Sequence, residues 1–219
     1  MIFKKPGCAV IAIIYCVLFT FAHADETQVN PDFIYFENGD TPENWIWVLS
    51  DPDNWWLPLD GNQGKSKGKK IEIAPTEYQG NMGAVKLTWS RKDKWGSAAI
   101  TGRTVDLSKF RDLAELLIVI RVDHKPNKDV KLTINCGDDC SANMHIDDLL
   151  KESPTNEWIA LPIALNCFSK NGADLSKIST PFSIGTQGRL GLSIAKIFIQ
   201  PMAKGDEGCG AKASEAGEK

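Results

Sequence analysis

The sequence predicts an all-β protein with a jelly-roll β-sandwich fold, and three observations lead to that fold class. Short apolar segments recur along roughly 170 residues, and several of them alternate apolar and polar positions with the period of a strand. Clusters of Gly, Pro, Asn and Asp separate the segments, and long helical periodicity is absent from the sequence. Many short strands at this spacing are typical of a sandwich or jelly roll.

The N-terminal residues 1–24 are predicted to be a secretory signal peptide. Lys4 and Lys5 precede an apolar run that ends at the small-residue triplet Ala22-His23-Ala24. This run is too short to be a typical bilayer-spanning helix, so we expect cleavage after Ala24 and a mature form without a membrane span. The expected location is therefore the periplasm or the cell exterior.

Nine segments are predicted as strands: Trp45–Leu49, Lys70–Ala74, Ala84–Trp89, Ser97–Thr101, Leu116–Val122, Val130–Asn135, Glu157–Pro162, Phe182–Gly185 and Leu190–Ile199. The strands Leu116–Val122 and Val130–Asn135 flank a turn-rich stretch and are expected to form a hairpin. Two short helices are predicted at Ser108–Leu113 and His145–Lys151 from their capping residues. One domain is thus expected over residues 33–201, followed by a disordered tail at 203–219 that has almost no apolar content.

The charge pattern argues against a nucleic-acid partner. The chain has a formal net charge of −3 and contains no sustained stripe of Lys and Arg. Its one basic run, Lys65–Lys70, lies among Gly and Ser and is expected to be a solvated loop.

Four cysteines remain after the predicted cleavage, and export makes disulfides plausible. Cys136 and Cys140 flank the short turn Gly137–Asp139, so a local bridge between them is the preferred pairing. Cys167 is then either free or bonded to Cys209. A zinc site that includes His145 is a weaker alternative, since the spacing fits no common four-ligand pattern.

Six of the seven tryptophans fall between residues 45 and 95, and aromatic rings of this kind stack on the apolar faces of sugars. Trp45, Trp47 and Trp89 occupy alternating strand positions, which favours the core. Trp55, Trp56 and Trp95 lie in loop-like polar sequence and are the candidates for ligand contact, with core packing as the alternative.

Charged residues on one strand provide a second set of ligand candidates. Arg121 and Asp123 have the opposite parity to the apolar positions of their strand, so both should face outward, where they could bind sugar hydroxyls or simply form a solvated ion pair. Asn135, on the expected partner strand of the hairpin, would extend this surface.

No motif indicates catalysis. The adjacent pairs Asp138-Asp139 and Asp147-Asp148 are explained by turn formation and helix capping, and no spacing selects two carboxylates for glycoside hydrolysis. The sequence also lacks the G-x-S-x-G, H-E-x-x-H and glycine-rich phosphate-loop patterns. We therefore predict a binding module and not an enzyme.

A set of ordered segments carries a resemblance to a known family: Ala84–Ser90, Val105–Ser108, Leu117–Asp123, Val130–Leu132, Cys136-Gly137, Cys140, Glu157-Trp158, Leu161-Pro162, Cys167-Phe168, Gly172–Lys177, Pro181-Phe182 and Leu190–Ile194. Together they resemble the galactose-binding-like domain at the C-terminus of ExoP-type exo-acting β-glucosidases of glycoside hydrolase family 3. The resemblance implies a jelly-roll sandwich of the carbohydrate-binding type in the periplasm or outside a Gram-negative cell. The catalytic barrel of those enzymes has no counterpart here, so their catalysis is not implied.

The expected function is therefore an exported, non-catalytic carbohydrate-binding module for β-glucan or a related poly- or oligosaccharide. The alternative is an envelope protein-interaction or assembly module without glycan affinity, and a glycoside hydrolase or an envelope protein is a candidate partner. Similar jelly rolls often hold a structural Ca²⁺, which Glu37, Asn38 and Asp40 could bind, although an Asn-Gly-Asp turn is an alternative explanation of these residues.

Overall fold

A computed structural model of the chain describes residues 30–209, and the predicted signal peptide lies outside the described residues. Within this range the chain forms thirteen strands: β1 (Ile34–Phe36), β2 (Trp45–Asp51), β3 (Asn54–Pro58), β4 (Gly64–Lys65), β5 (Ile71–Tyr78), β6 (Asn81–Trp89), β7 (Gly96–Gly102), β8 (Ala114–His124), β9 (Val130–Asn135), β10 (Ser141–His145), β11 (Trp158–Ala164), β12 (Thr180–Thr186) and β13 (Leu190–Pro201). The helices of the same range are short: α1 (Asp147–Glu152), α2 (Leu165–Lys170) and 3-10 turns at Pro31–Phe33, Ser108–Phe110 and Leu175–Lys177.

The strands form two antiparallel sheets, which confirms the predicted β-sandwich. The seven-stranded sheet has the order β11-β8-β13-β6-β5-β4, and β1 adds to β13. The six-stranded sheet has the order β10-β9-β12-β7-β2-β3. Neighbours in the sheets come from distant parts of the sequence, as expected when strands alternate between the layers of a jelly roll.

The core lies between the two sheets and is built by alternation along the strands. Ile118, Ile120 and Val122 of β8 face inward, and so do Leu132 and Ile134 of β9. Since successive side chains of a strand point to opposite faces, the residues between them face outward. The predicted burial of three tryptophans is confirmed for Trp45, Trp47 and Trp89.

The predicted hairpin between β8 and β9 is wrong, because the two strands belong to different sheets. β8 pairs with β11 and β13, whereas β9 pairs with β10 and β12. The connection at residues 125–129 crosses from one layer to the other, a distance of about 10 Å that five extended residues can span. Alternation shows which face of a strand is buried, but it does not identify the strand's neighbours.

The sequence did not predict the polar strands at the edges of the sheets. β3 and β10 are edge strands, and Ala142 is the single buried residue of β10. The predicted helix at Ser108–Leu113 forms just one 3-10 turn, and the helix expected at His145–Lys151 begins two residues later as α1. Helix α2 was missed because its residues Leu165–Phe168 are all buried, which removes the amphipathic pattern.

Two disulfides close the loops at one end of the sandwich. Cys136 is bonded to Cys140 across the short turn, and Cys167 is bonded to Cys209. The second bond fixes residues 203–209, the first part of the expected disordered tail, to helix α2, and the backbone N–H of Cys209 also donates to Asn166. Residues 210–219 lie outside the described residues. Within the described range, no helix is long and apolar enough to cross a membrane.

Candidate functional site

The outer face of the six-stranded sheet is crossed by two rows of side chains. Each strand contributes one residue to a row, except that β3 contributes two to the first row. The strand registers define these rows directly. The first row, counted from β3 to β10, contains Trp55 and Trp56, Ser50, Ser97, Gly185, Lys131 and His145. The second row contains Pro58, Val48, Ala99, Ser183, Thr133 and Asn143.

A β-bulge places two tryptophans at the β3 end of the first row. Leu49 pairs with Leu57 and Asp51 pairs with Asn54. Trp55 and Trp56 therefore both lie opposite Ser50, the single β2 residue between those two pairs. Their exposed fractions are 60% and 59%, which shows that neither ring packs in the core. Both predicted ligand contacts are therefore solvent-accessible neighbours on an edge strand.

Hydrogen bonds hold the β2–β3 hairpin in this bulged shape. The hydroxyl of Ser50 donates to the Trp55 carbonyl at 2.8 Å, and the N–H of Trp56 donates to Asn54 Oδ1 at 3.0 Å. The buried carboxylate of Asp51 accepts from three backbone N–H groups, those of residues 53, 54 and 68. Burial alone would raise the pKa of Asp51, but bonds from Ser66 and from these amides outweigh it, so its pKa is lowered.

Trp95 lies on the same face, three strands away from the tryptophan pair. A Cβ on Gly185 would overlap with Cζ2 of Trp95, so the ring is packed directly against the backbone of β12. Trp95 is half-buried, and one side of it remains open to a cavity. Three strand spacings separate β3 from β12, or about 14 Å.

Small side chains form the floor between the two aromatic positions. Five of the six outward residues of the central strands in these rows are small, and Val48 is the exception: Ser50, Ser97, Ala99, Ser183 and Gly185. These small side chains make a low surface that runs from Trp55 and Trp56 at one end to Trp95, which covers Gly185, at the other. We call this surface the tryptophan face. Sequence reasoning missed the floor, although a small residue between two apolar ones, as in Phe182-Ser183-Ile184-Gly185, is the signal that could have found it.

A cleft continues the tryptophan face at the end of the sandwich where the β6–β7, β8–β9 and β12–β13 loops meet. One part, about 520 Å³ in volume, is lined by Trp95, Asn127, Lys128, Asp129, Lys131 and Gln187. A second part of about 410 Å³ shares three of those residues and adds Arg91, Asp93, Gly188 and Arg189. We call the two parts the loop cleft.

A buried lysine joins two walls of the loop cleft. Lys70 is fully buried, and the three N–H groups of its ammonium are shared among the carbonyl oxygens of Ser90, Lys92, Gln187 and Gly188, which lie 2.7–2.9 Å from Nζ. Burial lowers the pKa of Lys70 to about 8. The expectation of a solvated basic loop at Lys65–Lys70 is therefore wrong at Lys70, because the chain turns inward there to begin β5.

The remaining predicted site residues do not lie together. Asn135 faces outward on β9, on the face of the six-stranded sheet, and its partner on β10 is Ser141. Arg121 and Asp123 face outward on β8 of the other sheet, on the opposite side of the sandwich. The expected surface combining Arg121, Asp123 and Asn135 does not form, because it depended on the incorrect hairpin.

Arg121 and Asp123 form a closed network on the seven-stranded sheet. Arg121 donates to Asp123 at 2.7 Å and to Ser193 at 3.1 Å, and the Ser193 hydroxyl donates to Asp123 at 2.7 Å. The guanidinium also lies 5.0 Å from the ring centre of Trp158, which in turn packs edge-on against Tyr78. The side chain of Asp123 is 6% exposed, so these groups satisfy one another and leave little for a ligand.

The three candidate calcium residues form a tight turn. Glu37 and Asp40 exchange backbone hydrogen bonds around Asn38 and Gly39, which both have positive φ. The Glu37 carboxylate pairs with Lys196 at 2.6 Å, so a cation already occupies its open side. Within residues 30–209, no group of three or more His, Cys, Asp or Glu side chains converges on a possible metal position. This geometry fits the turn better than a cation site, and calcium binding stays a prediction that a calcium titration would test.

Comparison with protein families gives a match over most of the sandwich. A family model described as Exop_C, galactose-binding domain-like, matches residues 43–199. It extends the resemblance predicted from the sequence to the tryptophan pair on β3. No curated protein sequence matches the chain significantly.

Solved structures with similar folds include an isolated domain and a whole enzyme. The extra C-terminal domain of the exo-1,3/1,4-β-glucanase ExoP from a Pseudoalteromonas species superposes with a TM-score of 0.63 at 16% identity, covering 84% of this chain and 99% of that domain. The whole ExoP gives a TM-score of 0.64 at 18% identity over 84% of this chain, which spans 22% of that enzyme. A family 30 carbohydrate-binding module from Clostridium thermocellum gives 0.53 at 15% identity, covering 77% of this chain and 96% of the module.

Proposed function

Because the chain belongs to the Exop_C family of galactose-binding-like domains, we propose that it is an exported, non-catalytic carbohydrate-binding module for β-glucan or a related glycan. The two disulfides support export, since such bonds persist in oxidising compartments. The periplasm or the cell exterior is accordingly the proposed location.

The tryptophan face is the observation that carries this proposal. Trp55 and Trp56 expose large rings that the fold holds out of the core, and Trp95 lies on the same face above Gly185. Rigid aromatic side chains lose little conformational entropy on binding, and their faces suit the apolar faces of pyranose rings. An extended saccharide lying across the strands would contact both aromatic positions and the polar groups of the small-residue floor.

The similar structures support a β-glucan as the ligand. ExoP is an exo-1,3/1,4-β-glucanase, and the structure of a family 11 carbohydrate-binding module from Clostridium thermocellum, with a TM-score of 0.50 and 11% identity over 76% of this chain and 94% of that module, contains a β-1,3-1,4-mixed-linked tetrasaccharide. The proposal transfers this ligand class to the tryptophan face.

The adjacent acidic pairs support a non-catalytic role, because structural contacts account for them. Asp147 and Asp148 both bond to Lys151 within helix α1. Asp138 and Asp139 lie in the turn that the Cys136–Cys140 disulfide closes. The ion pairs and the closed turn thus explain both acidic pairs without a role in glycoside hydrolysis.

Calorimetric titration of the purified full chain with mixed-linkage β-glucan oligosaccharides tests the proposal. We expect saturable heat from the native protein and at least a tenfold loss of affinity in the Trp55→Ala/Trp56→Ala variant, because each lost stacking contact is worth about 1 kcal/mol. Met82→Ala is the matched control, since Met82 is 57% exposed at the tip of the β5–β6 hairpin and should not affect binding.

Absence of heat with every glycan tested, by a protein whose fold is intact, would refute the proposal. The same exposed tryptophans would then point to the alternative, an envelope protein-interaction module. Capture of an envelope protein by the native chain but not by the double tryptophan variant would support that alternative.

A further inference from the structure

The loop cleft is positively charged, although the whole chain is acidic. Its lining contains four cationic side chains, Arg91, Lys128, Lys131 and Arg189, and two carboxylates, Asp93 and Asp129. The formal net charge of the chain is −3, so this excess is local.

Most of the cationic groups in the cleft lack an ionic partner. Lys128 is neutralised by Asp93, which lies 2.6 Å from its Nζ. Among residues 30–209, Arg91, Lys131 and Arg189 form no salt bridge with any carboxylate. Three cations without a carboxylate partner and one further acid, Asp129, thus line the cleft, so its net charge is positive and would attract an anionic ligand.

The cleft is continuous with the tryptophan face. Lys131 stands in the same transverse row as Trp55, Trp56 and Ser97, one strand beyond Gly185, and Trp95 and Lys131 line the same part of the cleft. A saccharide that stacks on Trp95 therefore brings its neighbouring unit or ring substituent within reach of the Lys131 ammonium.

The cleft is also preformed. The buried ammonium of Lys70 bonds to carbonyls of the 90–92 loop and of the 187–188 loop, so the two loops that carry Arg91 and Arg189 are held at a fixed separation. Asn127 supports the second wall, since its Oδ1 accepts from the backbone N–H of Arg189 at 2.7 Å. A rigid site loses less entropy when a ligand binds.

We propose that the loop cleft binds an acidic group of the glycan that lies on the tryptophan face, so that the natural ligand contains uronate or sulfated sugar units. This inference rests on the proposed function and narrows it from glycans in general to anionic ones. Carboxylate and sulfate present the same chemistry to the site, since both offer several anionic oxygens to guanidinium and ammonium donors.

The test is calorimetry of the full chain at low salt with three oligosaccharides of equal length: a neutral mixed-linkage β-glucan, an oligoglucuronate and a sulfated galactan. We expect at least one acidic oligosaccharide to bind about tenfold more tightly than the neutral one, with an advantage that shrinks as salt screens the charges. The acidic arm that binds more tightly identifies carboxylate or sulfate as the preferred group.

Two variants locate the effect. Lys131→Gln and Arg91→Gln are each expected to weaken binding of the acidic oligosaccharide about fivefold to tenfold, and to weaken binding of the neutral one by less than about twofold. Lys109→Gln is the control, because Lys109 is exposed in the β7–β8 connection at the opposite end of the sandwich and carries the same charge.

The outcomes separate the two proposals. Neutral glucan that binds through Trp55 and Trp56, with no preference for acidic oligosaccharides, would overturn the anionic inference and leave the proposed function intact. An equal effect of Lys109→Gln and Lys131→Gln would also overturn it, because the preference would then reflect overall charge. No binding of any oligosaccharide would remove both.

Discussion

Replacing Lys70 with methionine tests the most unusual interaction of the fold. The ammonium of this buried residue is surrounded by four backbone carbonyls, those of Ser90, Lys92, Gln187 and Gly188. Methionine has a similar unbranched length, so Lys70→Met removes the donor group and leaves little empty space. The four carbonyls then lose this partner, and that of Gly188 is in the most buried position.

The expected loss of stability follows from two opposing contributions. A hydrogen bond from a charged donor contributes about 2 kcal/mol, so losing the three N–H donors of the ammonium costs about 6 kcal/mol. Removing the ammonium also relieves its own burial penalty, and the fall of the Lys70 pKa from 10.5 to about 8 corresponds to about 3 kcal/mol. We therefore expect Lys70→Met to lower the free energy of unfolding by about 3 kcal/mol.

Urea unfolding of the full chain with its disulfides intact measures this loss, because the buried Trp47 and Trp89 give a fluorescence signal of the folded state. The slope m should stay unchanged while the midpoint falls by about 1.5 M, which follows from a typical m of about 2 kcal/mol per M. Lys67→Met is the control, since Lys67 is exposed in the same loop and should change stability by less than about 0.5 kcal/mol.

The pH dependence gives an independent check of the sign. Because the folded pKa of Lys70 lies below the unfolded value, the unfolded state binds more protons between about pH 8 and 10.5, and the native protein gains stability relative to Lys70→Met as the pH rises through that window. A loss of stability below about 1 kcal/mol at pH 7, or a gap that narrows across this window, would refute the reasoning.

Two further predictions concern the tryptophan face and its supporting hairpin. Gly185→Val should displace the Trp95 ring, because this ring already occupies the space that a side chain at position 185 would need. We expect calorimetry to show about tenfold weaker glycan binding and circular dichroism to show unchanged secondary structure. Unaltered affinity would show that Trp95 does not contact the ligand. Asp51→Asn should lower stability at pH 7 by about 1–2 kcal/mol because the buried carboxylate accepts three N–H groups. The pKa of Asp51 is lowered from 3.8 in the folded state, so its contribution to the free energy of unfolding is present above that value and is lost at more acidic pH. Below pH 4 the stability of Asp51→Asn should therefore fall less steeply with pH than that of the native protein. Equal slopes would contradict this assignment.

The sandwich could be predicted from the sequence because the pattern of buried and exposed positions is contained within each strand. Alternating positions in β8 and β9 identify the buried face, and the apolar parity of Trp45 and Trp47 places both rings in the core. Pairing between strands depends instead on contacts across the whole chain, and this is why the expected β8–β9 hairpin was wrong. The surface assigned to Arg121 and Asn135 failed with it.

Parts of the candidate site were predictable and parts were not. Polar neighbours correctly marked Trp55 and Trp56 as exposed, but the bulge that makes them neighbours on one surface follows from the register of β2 and β3. The burial of Lys70 could not be predicted, because the Lys- and Gly-rich segment around it has the composition of a solvated loop. Its burial depends on carbonyls more than 100 residues away, at Gln187 and Gly188.

The bulge in β3 also bears on the solubility of the protein. An edge strand with free N–H and C=O groups is a template for pairing with another chain, and two exposed tryptophans would add a hydrophobic contact that favours such association. In β3 the bulge interrupts the regular spacing of those groups, Pro58 has no N–H to offer, and the Trp55 carbonyl is already bonded to Ser50. The irregularity that displays the two rings thus protects the same edge against intermolecular strand pairing.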